Sequence, residues 1–198
     1  MNPAQHDLPG LLQAARACRV CGAHLQHGPR PVLQAAAGAR ILVVGQAPGA
    51  RVHASGVPWD DASGDRLRAW MGIDKTTFYD AEQIAVIPMG LCYPGRGAGG
   101  DLPPRPECAP LWMAPLRAKL PRIELTLLIG LYAQRHFLGA RRQRSLTETL
   151  QHWQDYAPEF LPLPHPSPRN TPWFQAHPWI EHELLPTLRT RVGQLLKD

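Results

Sequence analysis

The chain has no apolar run that can cross a bilayer. Its longest, such as Leu125 to Leu131, fall well short of the roughly 20 residues that a spanning helix needs. The opening residues, MNPAQHDLPG, lack the basic-then-apolar order of a secretion signal, which predicts a cytoplasmic protein with no membrane partner. No internal repeat, low-complexity block or long linker divides the sequence. Its 198 residues are therefore read as one domain, 1–198, with a sizeable core. The lysine-serine/threonine of a P-loop and the spacing of a dinucleotide fingerprint are also missing, which argues against a nucleotide cofactor. Cysteine is scarce, with four in all.

Those four are Cys18, Cys21, Cys92 and Cys108, in the pattern C-x2-C-x70-C-x15-C. Disulfides are rare in the cytosol, and a C-x2-C pair lets two thiolates reach one metal centre. Four thiolates suit a tetrahedral zinc or an iron–sulfur cluster. A redox pair with two buried cysteines is the plainer alternative.

Lysine and arginine total 21 against 16 acidic residues, a net charge of +5 and a pI near 9.3. Excess positive charge favours a polyanionic partner through counterion release. This admits nucleic acid and does not by itself select it.

The 22 prolines and 17 glycines gather between apolar segments, where they punctuate structure. Four short Val/Ile/Leu-rich runs read as buried strands: Arg40–Gly45, Gln83–Met89, Glu124–Gly130 and Phe160–Leu163. Helices are predicted over Asp7–Ala17, Ser63–Met71, Ala109–Leu120, Leu131–Leu138, Ser145–Tyr156 and about Pro178–Leu196. In S-L-T-E, Ser145 and Glu148 form a capping-box signature. The alternation predicts an α/β fold, a three-layer α/β/α sandwich around a four-stranded parallel sheet. Ligands of such sheets bind beyond the carboxyl ends of the strands. The loops after Gly45, Met89 and Leu163 are the places to look.

The first strand runs into Gly45-Gln46-Ala47-Pro48-Gly49, whose glycines let backbone approach a ligand closely. Alone, the pentapeptide is also consistent with an ordinary strand-to-helix turn. Gly56-Val57-Pro58-Trp59 follows, then Asp60, Asp61, Ala62, Ser63, Gly64, Asp65, Arg66 and Leu67. After the last predicted strand comes Pro164-His165-Pro166-Ser167-Pro168-Arg169-Asn170, a histidine fixed among prolines.

G-x-A-P-G followed by G-x-P-aromatic resembles the first motif of the uracil-DNA glycosylase superfamily, closest to its iron–sulfur (family four) branch. H-P-S-P-R-N resembles the superfamily's second motif, particularly in its single-strand-selective branch. The resemblance implies base excision from DNA by hydrolysis of the N-glycosidic bond of uracil. It assigns base binding to Gly45, Gln46, Ala47 and Trp59, with the Trp59 indole stacking on a flipped-out base. It makes His165 the donor to the departing base. Pro166, Ser167, Arg169 and Asn170 then contact DNA, and the four cysteines hold a 4Fe–4S cluster, with zinc as the alternative.

Three departures from the motif are plain. Gln46 stands at a catalytic position that is usually Glu, and an amide cannot act as a base. Ala47 replaces a water-activating Asp or Asn. Pro88 replaces the asparagine that reads the base edge. Asp60 or Asp61 can compensate for the missing acid, and Asp61 fits the offset of a related branch better; either can instead cap the helix near Ser63. Trp59 can equally be a core residue. The glycine-rich stretch Tyr93–Gly100, with Arg96, is read either as a track for a DNA backbone or as a tether between cluster ligands. Two other functions stay open: excision of hypoxanthine or xanthine, and a weakly catalytic module that binds damaged or single-stranded DNA.

Overall fold

The computed structural model describes residues 7–196, so the terminal residues of the single-domain reading and most of the opening decapeptide lie outside the described residues. Four strands form one parallel sheet in the order β2-β1-β5-β6: β1 Ile41–Val44, β2 Ile84–Val86, β5 Leu125–Ile129 and β6 Phe160–Leu163. All four lie where the apolar runs predicted them, the first three trimmed at their ends. A separate two-stranded hairpin, β3 Arg96–Gly97 and β4 Gly100–Asp101, is built from the glycine-rich stretch.

Every residue of the four sheet strands is buried, because side chains alternate between two covered faces. Leu42, Val44 and Leu128 enter a core with α1 (Leu8–Arg16), α5 (Cys108–Ala118) and α6 (Gly130–Leu138). Ile41, Val43, Leu125, Leu127 and Ile129 enter the opposite core. There they meet α3 (Ala62–Met71), α4 (Lys75–Tyr79), α7 (Leu146–Gln151) and α9 (Leu185–Leu195). This is the expected three-layer sandwich.

The capping box is present, with Ser145 and Glu148 exchanging bonds at the start of α7. The helix predicted over Ser145–Tyr156 is split, however: α7 stops at Gln151 and a 3-10 turn spans Trp153–Tyr156. The last predicted helix likewise begins as a π-helical turn, Ile180–Leu184, before α9. Three short helices have no sequence periodicity to announce them: α2 (Ala50–Ser55), α4 and α8 (Thr171–Gln175). Trp173 and Phe174 thus sit on α8, separate from the last helix, with Phe174 edge-on to Trp70. No helix among the described residues is long and apolar enough to cross a membrane.

Gln134 fixes the sheet end that matters. Fully buried on α6, it donates through Nε2 to the Leu128 and Leu163 carbonyls at 3.3 and 3.1 Å. One side chain thereby ties β5 to the strand that delivers His165.

Candidate functional site

A cleft of about 700 Å³ opens at the carboxyl ends of the strands. Its walls include Gly45, Gln46 and Ala47 after β1, Trp59 and Asp61 before α3, Pro88 after β2, and His165, Ser167, Arg169 and Asn170 after β6. Two motifs about 100 residues apart in sequence therefore share one cavity. Asp60 and Pro166 are not on its wall. Pro166 is buried between its neighbours, and the charge of Asp60 acts on Tyr79.

Trp59 is held in an uncommon backbone conformation, with φ +56°. A non-glycine residue in the left-handed region costs on the order of 1–2 kcal/mol, so surrounding contacts must enforce it. Arg68, 4% exposed, supplies them: its Nη1 donates to the Trp59 carbonyl at 3.1 Å, and its Nη2 to Asp65 at 2.6 Å. Arg68 also lies over the rings of Phe78 and Tyr79. Two glycines make room. A Cβ on Gly64 would come within 1.8 Å of the Trp59 carbonyl oxygen, and one on Gly45 within 2.9 Å of the indole. The half-buried indole is thus aimed along the end of β1 as well as packed on the core behind it.

The His165 ring faces Trp59, with centroids 5.9 Å apart and planes tilted by 35°. Its Nδ1 accepts the Ser167 backbone N–H at 3.2 Å. A neutral imidazole that accepts at Nδ1 carries its proton on Nε2, which leaves Nε2–H as a donor. Burial lowers the His165 pKa below its ordinary value, against the opposing pull of the Asp61 and Asp101 carboxylates. The loop itself is braced. Asn170 Nδ2 donates to the His165 carbonyl at 2.9 Å, and Arg66 Nη1 donates to the Ser167 carbonyl at 3.2 Å.

His53 and His136 are also held below their ordinary pKa by burial. The unfolded chain therefore binds more protons than the native one as pH falls through about 6.5, so stability must decline there. Thermal melts between pH 7.5 and 5 should show a falling Tm, less steep in His165→Gln. A Tm that rises on acidification would contradict this.

Asp61 is the N-cap of α3: its Oδ1 accepts the Gly64 N–H at 2.8 Å, while Oδ2 faces Gly49. The capping reading holds and the cleft reading survives beside it. Gln46 donates through Nε2 to the Leu102 carbonyl at 2.9 Å, just beyond β4. Sequence reasoning missed Arg66, Arg68, Gln134 and Asp101, since none sits at a position where the motifs assign a role.

A second, small pocket brings together Cys18, Cys21, Cys92 and Cys108, with Arg105 and Trp112 in its wall. Residues from before β1, after β2 and the start of α5 meet there. The Leu91 N–H donates to Cys108 Sγ at 3.2 Å. Arg105 Nε and Trp112 Nε1 are buried without partners. Burial pushes the Cys92 thiol up to about 11 and Cys108 up to about 12. Among the described residues, no three His, Cys, Asp or Glu side chains are placed to hold a metal ion.

Residues 33–189 match the family model of the uracil DNA glycosylase superfamily, which covers most of the chain and both cleft motifs. The chain belongs to the uracil DNA glycosylase superfamily. It is accordingly a glycosidase-type hydrolase that acts on DNA. Within this superfamily member the cleft between Gly45 and His165 is the candidate active site, and the thiol pocket lies apart from it, with no residue common to the two walls.

Proposed function

We propose that this superfamily member is a monofunctional glycosylase that hydrolyses the N-glycosidic bond of uracil in DNA. One observation carries the reading: a strained, braced Trp59 and a Nε2-protonated His165 face each other in one cleft. A base turned out of the helix stacks on the indole, worth about 1–3 kcal/mol. As the glycosidic bond breaks, negative charge collects on the departing base, where His165 Nε2–H donates to it. Gly45 and Ala47 provide close-approach backbone beside the base. Ser167 and Arg169, with Asn170 bracing the loop, face the DNA backbone.

Pro88, on the cleft wall, offers no side-chain donor or acceptor to the base edge. This favours hypoxanthine or xanthine as second substrates to be compared with uracil. A DNA-binding module with little catalysis is the reading to which Gln46 and Ala47 point.

The thiol pocket fits a 4Fe–4S cluster on the chemistry of its surroundings. An anionic sulfur-rich group between Cys18, Cys21, Cys92 and Cys108 supplies acceptors for the Leu91, Trp112 and Arg105 N–H groups. Zinc held by the same four thiols is the alternative. The cluster contributes structural cross-linking.

The test compares wild type with Trp59→Ala on oligonucleotides carrying uracil, hypoxanthine or xanthine, followed by alkaline cleavage of abasic sites. Wild type should excise uracil, and Trp59→Ala should lose lesion recognition more than binding to undamaged duplex. Equal losses for both DNAs together with a lower Tm would assign Trp59 to the core. Excision of none of the bases by wild type would leave the binding module.

A further inference from the structure

The glycine hairpin delivers an acid that neither motif contains. Asp101 ends β4 and lines the cleft. Its Oδ2 lies 3.6 Å from the space that a Cβ on Gly49 would fill, and Asp61 Oδ2 lies 3.9 Å from the same point. The two carboxylates therefore converge on one glycine. Asp61 has already committed an oxygen to the α3 cap, whereas Asp101 caps no helix and its carboxylate meets the Tyr93 hydroxyl on the same cleft wall.

The hairpin is tied to the end of β1 by one hydrogen bond and lies against the loop of the second motif. Gln46 binds the carbonyl of Leu102, next to Asp101. Leu102 N–H in turn donates to the Gly95 carbonyl, closing the base of the hairpin. On the other side, the Arg169 guanidinium lies 3.7 Å from the space beside Gly100. Gly95 and Gly100 have φ +97° and +135°, conformations that side-chain-bearing residues rarely adopt. The backbone is shaped so that Asp101 reaches the cleft.

This placement gives Gln46 a use that a carboxylate at that position cannot serve: an amide N–H holds a carbonyl, where Glu would repel it. The base function missing from Gln46 and Ala47 is moved to the strand that Gln46 holds.

Resting on the glycosylase reading, we propose that Asp101 is the catalytic acid–base residue that orients and deprotonates the attacking water, with Gln46 as its positioning residue. The C1′–N bond breaks and its electron pair leaves with the base, which His165 stabilises. The water oxygen bonds to C1′, and the released proton passes to the Asp101 carboxylate. General base catalysis of this kind contributes typically about 10²–10⁴-fold. The charge of Asp101 also reaches His165, in keeping with both groups facing the same space.

The experiment measures single-turnover excision from a uracil oligonucleotide at neutral pH for wild type, Asp101→Asn, Asp101→Glu, Asp61→Asn and Gln46→Glu. Asp101→Asn should lose about 10² or more in rate. Its affinity for uncleaved DNA should be unchanged or tighter, since a negative charge has been removed. Asp101→Glu should regain part of the rate, and Gln46→Glu should be slow because it releases β4. An active wild type, with Asp101→Asn equally fast, would overturn the assignment while leaving the glycosylase reading in place. A rate loss of that size in Asp61→Asn and none in Asp101→Asn would move the role to Asp61. An inactive wild type would remove the glycosylase reading and this assignment with it.

Discussion

His165→Ala should slow single-turnover excision of uracil by about 10²–10³, the usual cost of losing one well-placed oxyanion donor. DNA binding should stay nearly intact. The reason lies in how the imidazole is held. Nδ1 is occupied by the Ser167 N–H, so the free donor is Nε2, on a ring whose centroid lies 5.9 Å from that of the Trp59 indole. Truncating the side chain removes that donor without releasing the loop, because Asn170 and Arg66 bond to the backbone carbonyls of His165 and Ser167. Asp60→Asn is the companion control. Asp60 is not on the cleft wall, so the variant should cleave like wild type. Wild-type rates in His165→Ala would refute the role of the imidazole, and a large loss of DNA affinity would reassign it to the interface.

Cys108→Ser should abolish the cluster and most of the fold's stability together. Purified wild type should be brown, absorbing near roughly 400 nm, with iron and sulfide in the protein. Cys108 opens α5 and takes the Leu91 N–H, so a ligand at its sulfur ties the segment after β2 to that helix. Buried thiols pushed up to about 11 and 12 hold their protons at neutral pH unless a cation displaces them. Loading therefore releases protons and should weaken as pH falls. The variant should be colourless, poorly soluble and lower in Tm. Colourless wild type with stoichiometric zinc would replace the cluster by zinc. Metal-free wild type of unchanged stability would return the cysteines to the redox-pair alternative.

The sheet was legible because each buried parallel strand is a short apolar run bounded by glycine or proline, and burial on both faces leaves no other pattern. Helix ends were legible where capping chemistry is explicit, as at Ser145 and Glu148. Periodicity failed for α2, α4 and α8, which are five or six residues long and too short to show a stripe. It also ran across the break after Gln151, since the 3-10 turn that follows keeps Tyr156 inward.

The site divides along the same line. Residues within contiguous motifs, such as Trp59 and His165, were readable because neighbours in sequence stay neighbours in the loop. Arg68 and Gln134 were not, since each acts by bonding to a backbone carbonyl, and carbonyls leave no trace in side-chain identity. Asp101 was hidden differently: only the folded hairpin brings it opposite Gly49. Asp60 and Asp61 are adjacent in sequence, and the cap bond to Gly64 decides which one faces the cleft.

The proposed activity is hydrolytic release of the base in the Trp59–His165 cleft. Its most direct test is single-turnover incubation of the protein with a uracil oligonucleotide in ¹⁸O-labelled water, with mass spectrometry of both products. The expected products are free uracil in one-to-one yield with an abasic strand that carries the label at C1′ and remains unbroken before alkali. Intact oligonucleotide after prolonged incubation, or strand cleavage without free uracil, would contradict it.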